Sequence, residues 1–463
     1  MKSNNTTKDF TSGNIYMQML ELSIPLILGN ILQQFYNTID AFVVGRYAGA
    51  DEFAAIGIAG TIMNLFLFMI VGACTGMSVL FSKYYGQKNY NMLHIQHFTS
   101  LASGLIFSIF LGLAGLSLMK IIINILQTPD NLKEYTCTYL FWIFISLPAA
   151  FLYNMYAAAL RSCGDTVTAL IILAVSVFCN LVLDIALIKY LNMGIKGAAI
   201  ATAFTQMLSS ILCIIYLLHS HKEFLFSHKE CTINKQYLTN TLSISAATAL
   251  HQTGLYIGKA LVQGVVNTGG TSVISAYTAA TRIEGFANSF GDSGSAATSV
   301  ITAQSYGAGK TKRAQKVFIT SIKCTAILGI ICAVILFFSA HLTTGLMLTG
   351  SDSNAVNNAT IYLKIIALFY PLCFTGGSFT GYFNGCGKVL ITLAGSLLQI
   401  SIRVILSFIL FSNLELSCVA LATGIGWLTV NIVWSIIKKI IEKRRGCFLA
   451  VLPHFLCNFF NKF

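Results

Sequence analysis

The sequence predicts an all-α polytopic membrane protein with twelve transmembrane helices in two pseudo-symmetric six-helix lobes. Composition excludes an ordinary soluble surface: of 463 residues, 56% are hydrophobic and 10% charged, with mean hydropathy +0.74. Twelve apolar stretches reach the roughly 20 residues that cross a bilayer. One long charged interruption at 219–237 leaves six of them on either side. The halves also repeat one plan. A shift of 221 residues lays Gly49 on Gly270, Tyr85-Gly86 on Tyr306-Gly307, and AAIAT (198–202) on VALAT (419–423). A shift of 223 lays Pro148 on Pro371 and Gly164 on Gly387. The expected organisation is an N-terminal lobe (1–220), a cytoplasmic linker (221–237), a C-terminal lobe (238–441) and a cytoplasmic, amphipathic or unstructured tail (442–463). Repeated halves of this kind point to a transporter, because lobes rocking about a midplane site give alternating access.

The spans run in order from 15–45, whose polar residues Asn30, Gln33, Asn37 and Asp40 lie at relative positions 0, 3, 7 and 10. At 100° per residue these share a sector of roughly 80°, so one face of this helix is predicted to be wet. Pro25 in the same span is either a kink tolerated by packing or a functional bend. Spans 53–82, 93–119 and 131–157 are apolar, the first of them rich in small residues. In the fifth, 166–190, Ser176, Asn180 and Asp184 recur every fourth residue and stack on one face. The sixth is 195–218. The second set is 238–266, 272–303, 315–346, 354–382, 388–412 and 416–440. There Asp40 is replaced by Leu261, and Ser176, Asn180 and Asp184 by Gln399, Arg403 and Ser407. A duplicated cation site is therefore not expected. This half instead carries Lys259, Arg282, Glu284 and Asp292, with Glu284, Asn288 and Asp292 near one face of the eighth span. Glu284 reads either as a substrate carboxylate or as the partner of Lys259, Arg282 or Arg403 in a locking ion pair.

A charge at mid-bilayer costs at least ~2.5–3.5 kcal/mol, so intramembrane carboxylates usually face a bundle interior and serve ion pathways. Asp40 and Asp184 are the leading candidates, with a structural, hydrogen-bonded carboxylate as the alternative. Two such groups facing one small cavity cannot both ionise cheaply, and a proton or a bound cation relieves the repulsion.

Topology follows from the basic residues. Twenty of the 29 Lys and Arg fall on the side of the termini and central gap, against five on the other. This bias puts both termini in the cytoplasm. The net charge of +13 is mostly this signal, with attraction to anionic lipid secondary. No nucleic-acid partner is expected, since the basic residues are spread over short loops. The segment MKSNNTTKDFTSGN leads straight into a long span, unlike a cleavable signal peptide. Thirteen cysteines include no CxxC pair, which argues against zinc or a disulfide framework. His94 and His97, or His219 and His221, read as surface loop histidines without a third metal ligand. GAGKT (307–311) fails as a phosphate loop because Gln304 stands where a glycine is required. No clustered His/Asp or Ser/His constellation points to an enzyme.

The segment QQFYNTIDAFVVGRYAGADEFAAIG (33–57), the YYGQKN loop and AALRSCGDT (158–166) resemble the multidrug and toxic compound extrusion (MATE) family, over essentially all twelve spans. The likeness is greater to its bacterial DinF-like branch. That resemblance, and not spacing, brings the candidate helices together. It implies a cation-coupling group matching Asp40, Asn180, Asp184 and Thr202, and a bend at Pro25 that shifts with protonation. Oxygen donors from Asn180 and Thr202 suit Na+ and equally suit a hydrogen-bonded protonated acid, so the coupling ion stays open between H+ and Na+. No other metal and no cofactor is expected. Gln33, Asn37, Glu284, Asn288 and Arg403 are the substrate-cavity candidates. The implied activity is export of amphipathic, mainly cationic organic compounds by a monomer in the bacterial inner membrane. A flippase for lipid-linked or polyisoprenoid cargo is the alternative.

Overall fold

The computed structural model describes residues 8–125, 128–225, 232–348 and 353–445. Its helices are α1 (Ile15–Tyr47), α2 (Ala50–Gly86), α3 (Tyr90–Ile125), α4 (Asp130–Ser162), α5 (Thr166–Asp184), α6 (Gly194–Ser220), α7 (Lys235–Val266), α8 (Gly270–Gly307), α9 (Thr311–Met347), α10 (Ser353–Ala367), α11 (Tyr370–Gly385) and α12 (Val389–Arg445). Several exceed 30 residues and so project beyond a hydrocarbon core. Twelve crossings result, although not one per helix. α10 and α11 form one span bent by 53°, with Pro371 in the first turn of α11, where a proline is tolerated because its missing N–H would have no helical partner anyway. α12 holds two spans, divided at Glu415 (φ 44°, ψ −130°). α7 and α8 are less apolar than the others, because they carry Lys259, Arg282, Glu284 and Asp292.

Two separate cores organise these helices. One, around Ile70, Phe81, Tyr139, Phe144, Leu147 and Met155, joins α2 through α6 with the end of α1. The other, around Tyr277, Tyr362, Leu363, Tyr370 and Phe374, joins α7 through α12. α1 belongs to both halves of the molecule: Met19 and Leu22 pack with Ala297, Ile301 and Val317 of α8 and α9, while Val43 and Val44 join the first core.

The halves meet where α2 lies against α7 and α8, and the contact between α2 and α8 is reciprocal. A β-carbon on Gly86 would press into the Gln304 carbonyl, and one on Gly307 into the Lys83 carbonyl. Lys83 and Gln304 are themselves 221-residue counterparts, so the repeat seen in sequence becomes a pseudo-two-fold contact at the face where α1 begins and α12 ends. Only glycine admits two backbones at this separation.

Two of the four predicted surface histidines are buried, whereas His219 is exposed and His94 half-buried. His97 is 1% exposed, edge-on to Phe81, Tyr156 and Phe224, with Nδ1 3.0 Å from the Phe224 carbonyl oxygen. His221 is fully buried, its Nε2 3.1 Å from Asp165 Oδ2. The short turn Lys222–Phe224 packs these rings over α3, which a reading of the gap as a solvated linker does not anticipate. Asp165, on the loop before α5, also accepts from the Thr168 N–H (3.1 Å) and the Tyr216 hydroxyl (3.0 Å). Burial raises this carboxyl, and the bonds from His221, Thr168 and Tyr216 outweigh that and hold it below its ordinary value of 3.8. A depressed carboxyl contributes stability above its unfolded value and loses it as pH falls through the folded one. Asp165→Asn is therefore expected to destabilise the protein by about 2 kcal/mol at neutral pH, seen as a lower thermal midpoint in detergent. The deficit should vanish in strong acid.

Candidate cation site

The candidate residues of the first half converge. α1 supplies Asp40, α5 supplies Asn180 and Asp184 one turn apart, and α6 supplies Thr202. All four are buried, at 9%, 2%, 1% and 7% exposure respectively. The Asp40 and Asp184 carboxyl groups are neighbours. Among the described residues neither forms an ion pair with Lys or Arg. Asp40 Oδ1, both Asp184 carboxyl oxygens and Asn180 Nδ2 are buried with no hydrogen-bond partner. Asp184 closes α5 immediately before a π-helical turn, 185–190, a local widening common at functional positions.

Two tyrosines missed in the sequence complete the cluster. The Tyr36 hydroxyl lies 3.4 Å from Thr202 Oγ1. Tyr139 of α4, 2% exposed, lies beside the same group, with its hydroxyl 3.9 Å from Met63 Sδ. Tyr36 lies one turn before Asp40, a spacing the sequence did offer. Tyr139 sits in an apolar run with nothing to mark it.

The wet face predicted for α1 divides between two neighbours. Asn30 Nδ2 donates to Ser293 Oγ of α8 (3.1 Å) and so belongs to the contact between the halves. Gln33 is exposed. The Asn37 side chain lies outside the described residues. Ser176, in register with Asn180 and Asp184, accepts a 2.7 Å bond from Ser209 and fastens α5 to α6.

Glu284 and Arg403 form a separate group in the second half. Tyr362 donates to Glu284 Oε2 at 3.4 Å and Arg403 Nη2 donates to the Tyr277 hydroxyl at 3.2 Å. Among the described residues no Lys or Arg reaches ion-pair distance of Glu284, so the predicted locking pair is replaced by tyrosine bridges. Asn288 is half-buried on the same helix. The two halves thus differ chemically: one holds acids without a base, the other an acid and a base interleaved with phenols.

A single family model, described as MatE, matches this chain twice, over residues 25–186 and 247–409. The chain belongs to the MATE family. The first match contains Asp40, Asn180 and Asp184, and the second Glu284, Asn288 and Arg403. Among proteins similar to this MATE chain is the probable multidrug resistance protein YpnP of Bacillus subtilis strain 168, 29% identical over 86% of this chain and 87% of its own. Another is the multidrug export protein MepA of Staphylococcus aureus strain MW2, 24% identical over 82% and 83%. Solved structures share the fold. A MOP superfamily transporter from Pyrococcus furiosus with a binding pocket described as reversed in polarity superposes with TM-score 0.89 at 20% identity, covering 96% of this chain and 99% of that one. The outward-facing conformation of a multidrug resistance MATE transporter gives 0.88 at 19%, covering 95% and 98%. The protein is thus a multi-pass membrane transporter.

Proposed function

We propose that this MATE transporter exports amphipathic, mainly cationic organic compounds in exchange for H+ or Na+, by alternating access of its two lobes. The observation that carries this reading is that the buried Asp40 and Asp184 carboxyl groups are neighbours without a basic partner. Two neighbouring ionised carboxylates repel by kilocalories per mole even at an effective dielectric near 20, on the order of 4 kcal/mol for unit charges at ~4 Å in general, so the pair needs a proton or a cation. Asn180, Thr202 and the Tyr36 and Tyr139 hydroxyls around it are hard oxygen and amide groups. They suit Na+ and suit a hydrogen-bonded proton equally. A cationic compound in the cleft competes with either ion for the same negative charge, which is the physical basis of exchange.

The reciprocal Gly86 and Gly307 contacts support the alternating part: they are a symmetric seam at one face, free of side chains, that two rigid lobes can open and close. The charge bias makes that face cytoplasmic. We place the chain in the DinF-like branch, in a bacterial inner membrane, acting as a monomer without enzymatic chemistry. Glu284, Asn288 and Arg403, together with Gln33 and Asn37, are the proposed substrate-cavity residues.

Uptake of a fluorescent organic cation into inverted vesicles, with Na+ and pH gradients imposed separately, tests the proposal. One of the two gradients is expected to drive accumulation, and accumulation driven by neither would refute exchange. Arg403 and Lys259 also favour a second reading, a flippase for lipid-linked anionic cargo. That reading requires lipid translocation in proteoliposomes and no drug resistance on overexpression.

A further inference from the structure

The segment 8–14 crosses the closed face from one lobe to the other and is bonded to both. On the first lobe, the Lys8 N–H donates to the Cys163 carbonyl (2.9 Å) and Asp9 pairs with Lys88 (3.2 Å). On the second, Arg313 of α9 donates to the carbonyls of Phe10 (3.1 Å), Ser12 (3.1 Å) and Gly13 (3.0 Å), and to Gln18 Oε1 (2.7 Å). Lys310 donates to the Thr11 carbonyl at 2.9 Å. Gln304, fully buried on α8, ties all three parts: its Oε1 accepts the Phe10 N–H (2.9 Å) and its Nε2 donates to the Ser162 carbonyl of α4 (2.7 Å).

The Phe10 side chain repeats this bridging with apolar surface. It is 1% exposed and packs with Ala297, Val300, Ile301 and Val317 of the second lobe. On its other side lies Gly164 of the first lobe, at φ +88°, where an added β-carbon would meet Phe10 Cε2 at 2.8 Å.

We propose that residues 8–14 are a latch that holds the cytoplasmic face closed, and that the latch must release for that face to open. The inference rests on the alternating-access reading above. When the lobes separate at this face, the segment can follow one lobe only. It then surrenders either the Arg313, Lys310 and Gln304 bonds and the seat of Phe10 on α8 and α9, or the Lys8 and Asp9 contacts and the seat on Gly164. Because the segment runs directly into α1, whose far half carries Asp40, latch and cation site share one helix. The latch therefore sets how much of the population faces the cytoplasm before any ion or cargo arrives.

Spin labels on non-natural side chains at Asn91 of α3 and Lys316 of α9, both exposed, report the separation of the lobes while leaving native cysteines untouched. Arg313→Gln, and separately Phe10→Ala, are expected to raise the ratio of long to short distances roughly tenfold, the first by losing hydrogen bonds to a charged group and the second by emptying a buried aromatic seat. In a second arm, Thr11→Cys is joined to Lys310→Cys and Asp9→Cys to Lys88→Cys by reducible thiol cross-linkers in proteoliposomes, which fastens the segment to both lobes at once, with the parent protein treated in parallel. Transport should fall roughly tenfold and recover on reduction. Unchanged distances in both latch variants, or full turnover of the cross-linked protein, would overturn the latch. The distance readout needs neither ion nor cargo, so it separates failure of the latch from failure of the exchange reading.

Discussion

Asp40→Asn is expected to leave a folded protein that no longer couples an ion gradient to efflux. The carboxamide is nearly isosteric, so packing of α1 against α5 survives, and Asp184 beside it loses the charged neighbour with which it shares a proton or cation. Ion-driven uptake into inverted vesicles should fall roughly a hundredfold, the loss that follows from removing an interaction worth about 3 kcal/mol. Asp184→Asn should behave alike, because the two neighbouring carboxyl groups act as one unit toward a proton or a cation. Ser176→Ala provides the contrast. Its hydroxyl is engaged by Ser209, so it should reduce stability modestly and leave coupling intact.

The second large effect is expected at the seam between the lobes. Gly86→Val or Gly307→Val places a branched side chain against a backbone carbonyl, of Gln304 or Lys83 respectively. A flexible neighbour could yield to it, but a helical carbonyl cannot without displacing its helix. Either variant should prevent the face from closing and trap the transporter open on that side, with transport reduced at least tenfold. Each lobe packs around its own core, so the protein should remain folded. Long distances between the Asn91 and Lys316 labels would report the trapped state. A variant that transports normally would show that the seam does not close during the cycle.

Much of this architecture was legible because the bilayer simplifies the code. Apolar length marks a span, and the offset that lays Tyr85-Gly86 on Tyr306-Gly307 also marks the seam on which the halves meet. What the pattern could not give was depth and partner. Asn30 and Asp40 share a sector of α1, yet one turns to Ser293 of the second lobe and the other to Asp184 of the first, because a helix between two lobes has two wet neighbours. His221 reads as a loop residue until a turn of three residues buries it on Asp165. Tyr139 is invisible within an apolar run and is found only through its neighbours in space. Gln304, noticed in the sequence as the residue that spoils a phosphate-loop motif, is instead the buried amide joining the 8–14 segment to both lobes.

The exchange mechanism stands on the shared negative charge of Asp40 and Asp184. The most direct test is the affinity of the purified transporter for a fluorescent organic cation, titrated against Na+ concentration and against pH. In the parent protein, one of the two ions should weaken binding steeply, and in Asp40→Asn that dependence should disappear. An ion dependence of equal steepness in both proteins would contradict it.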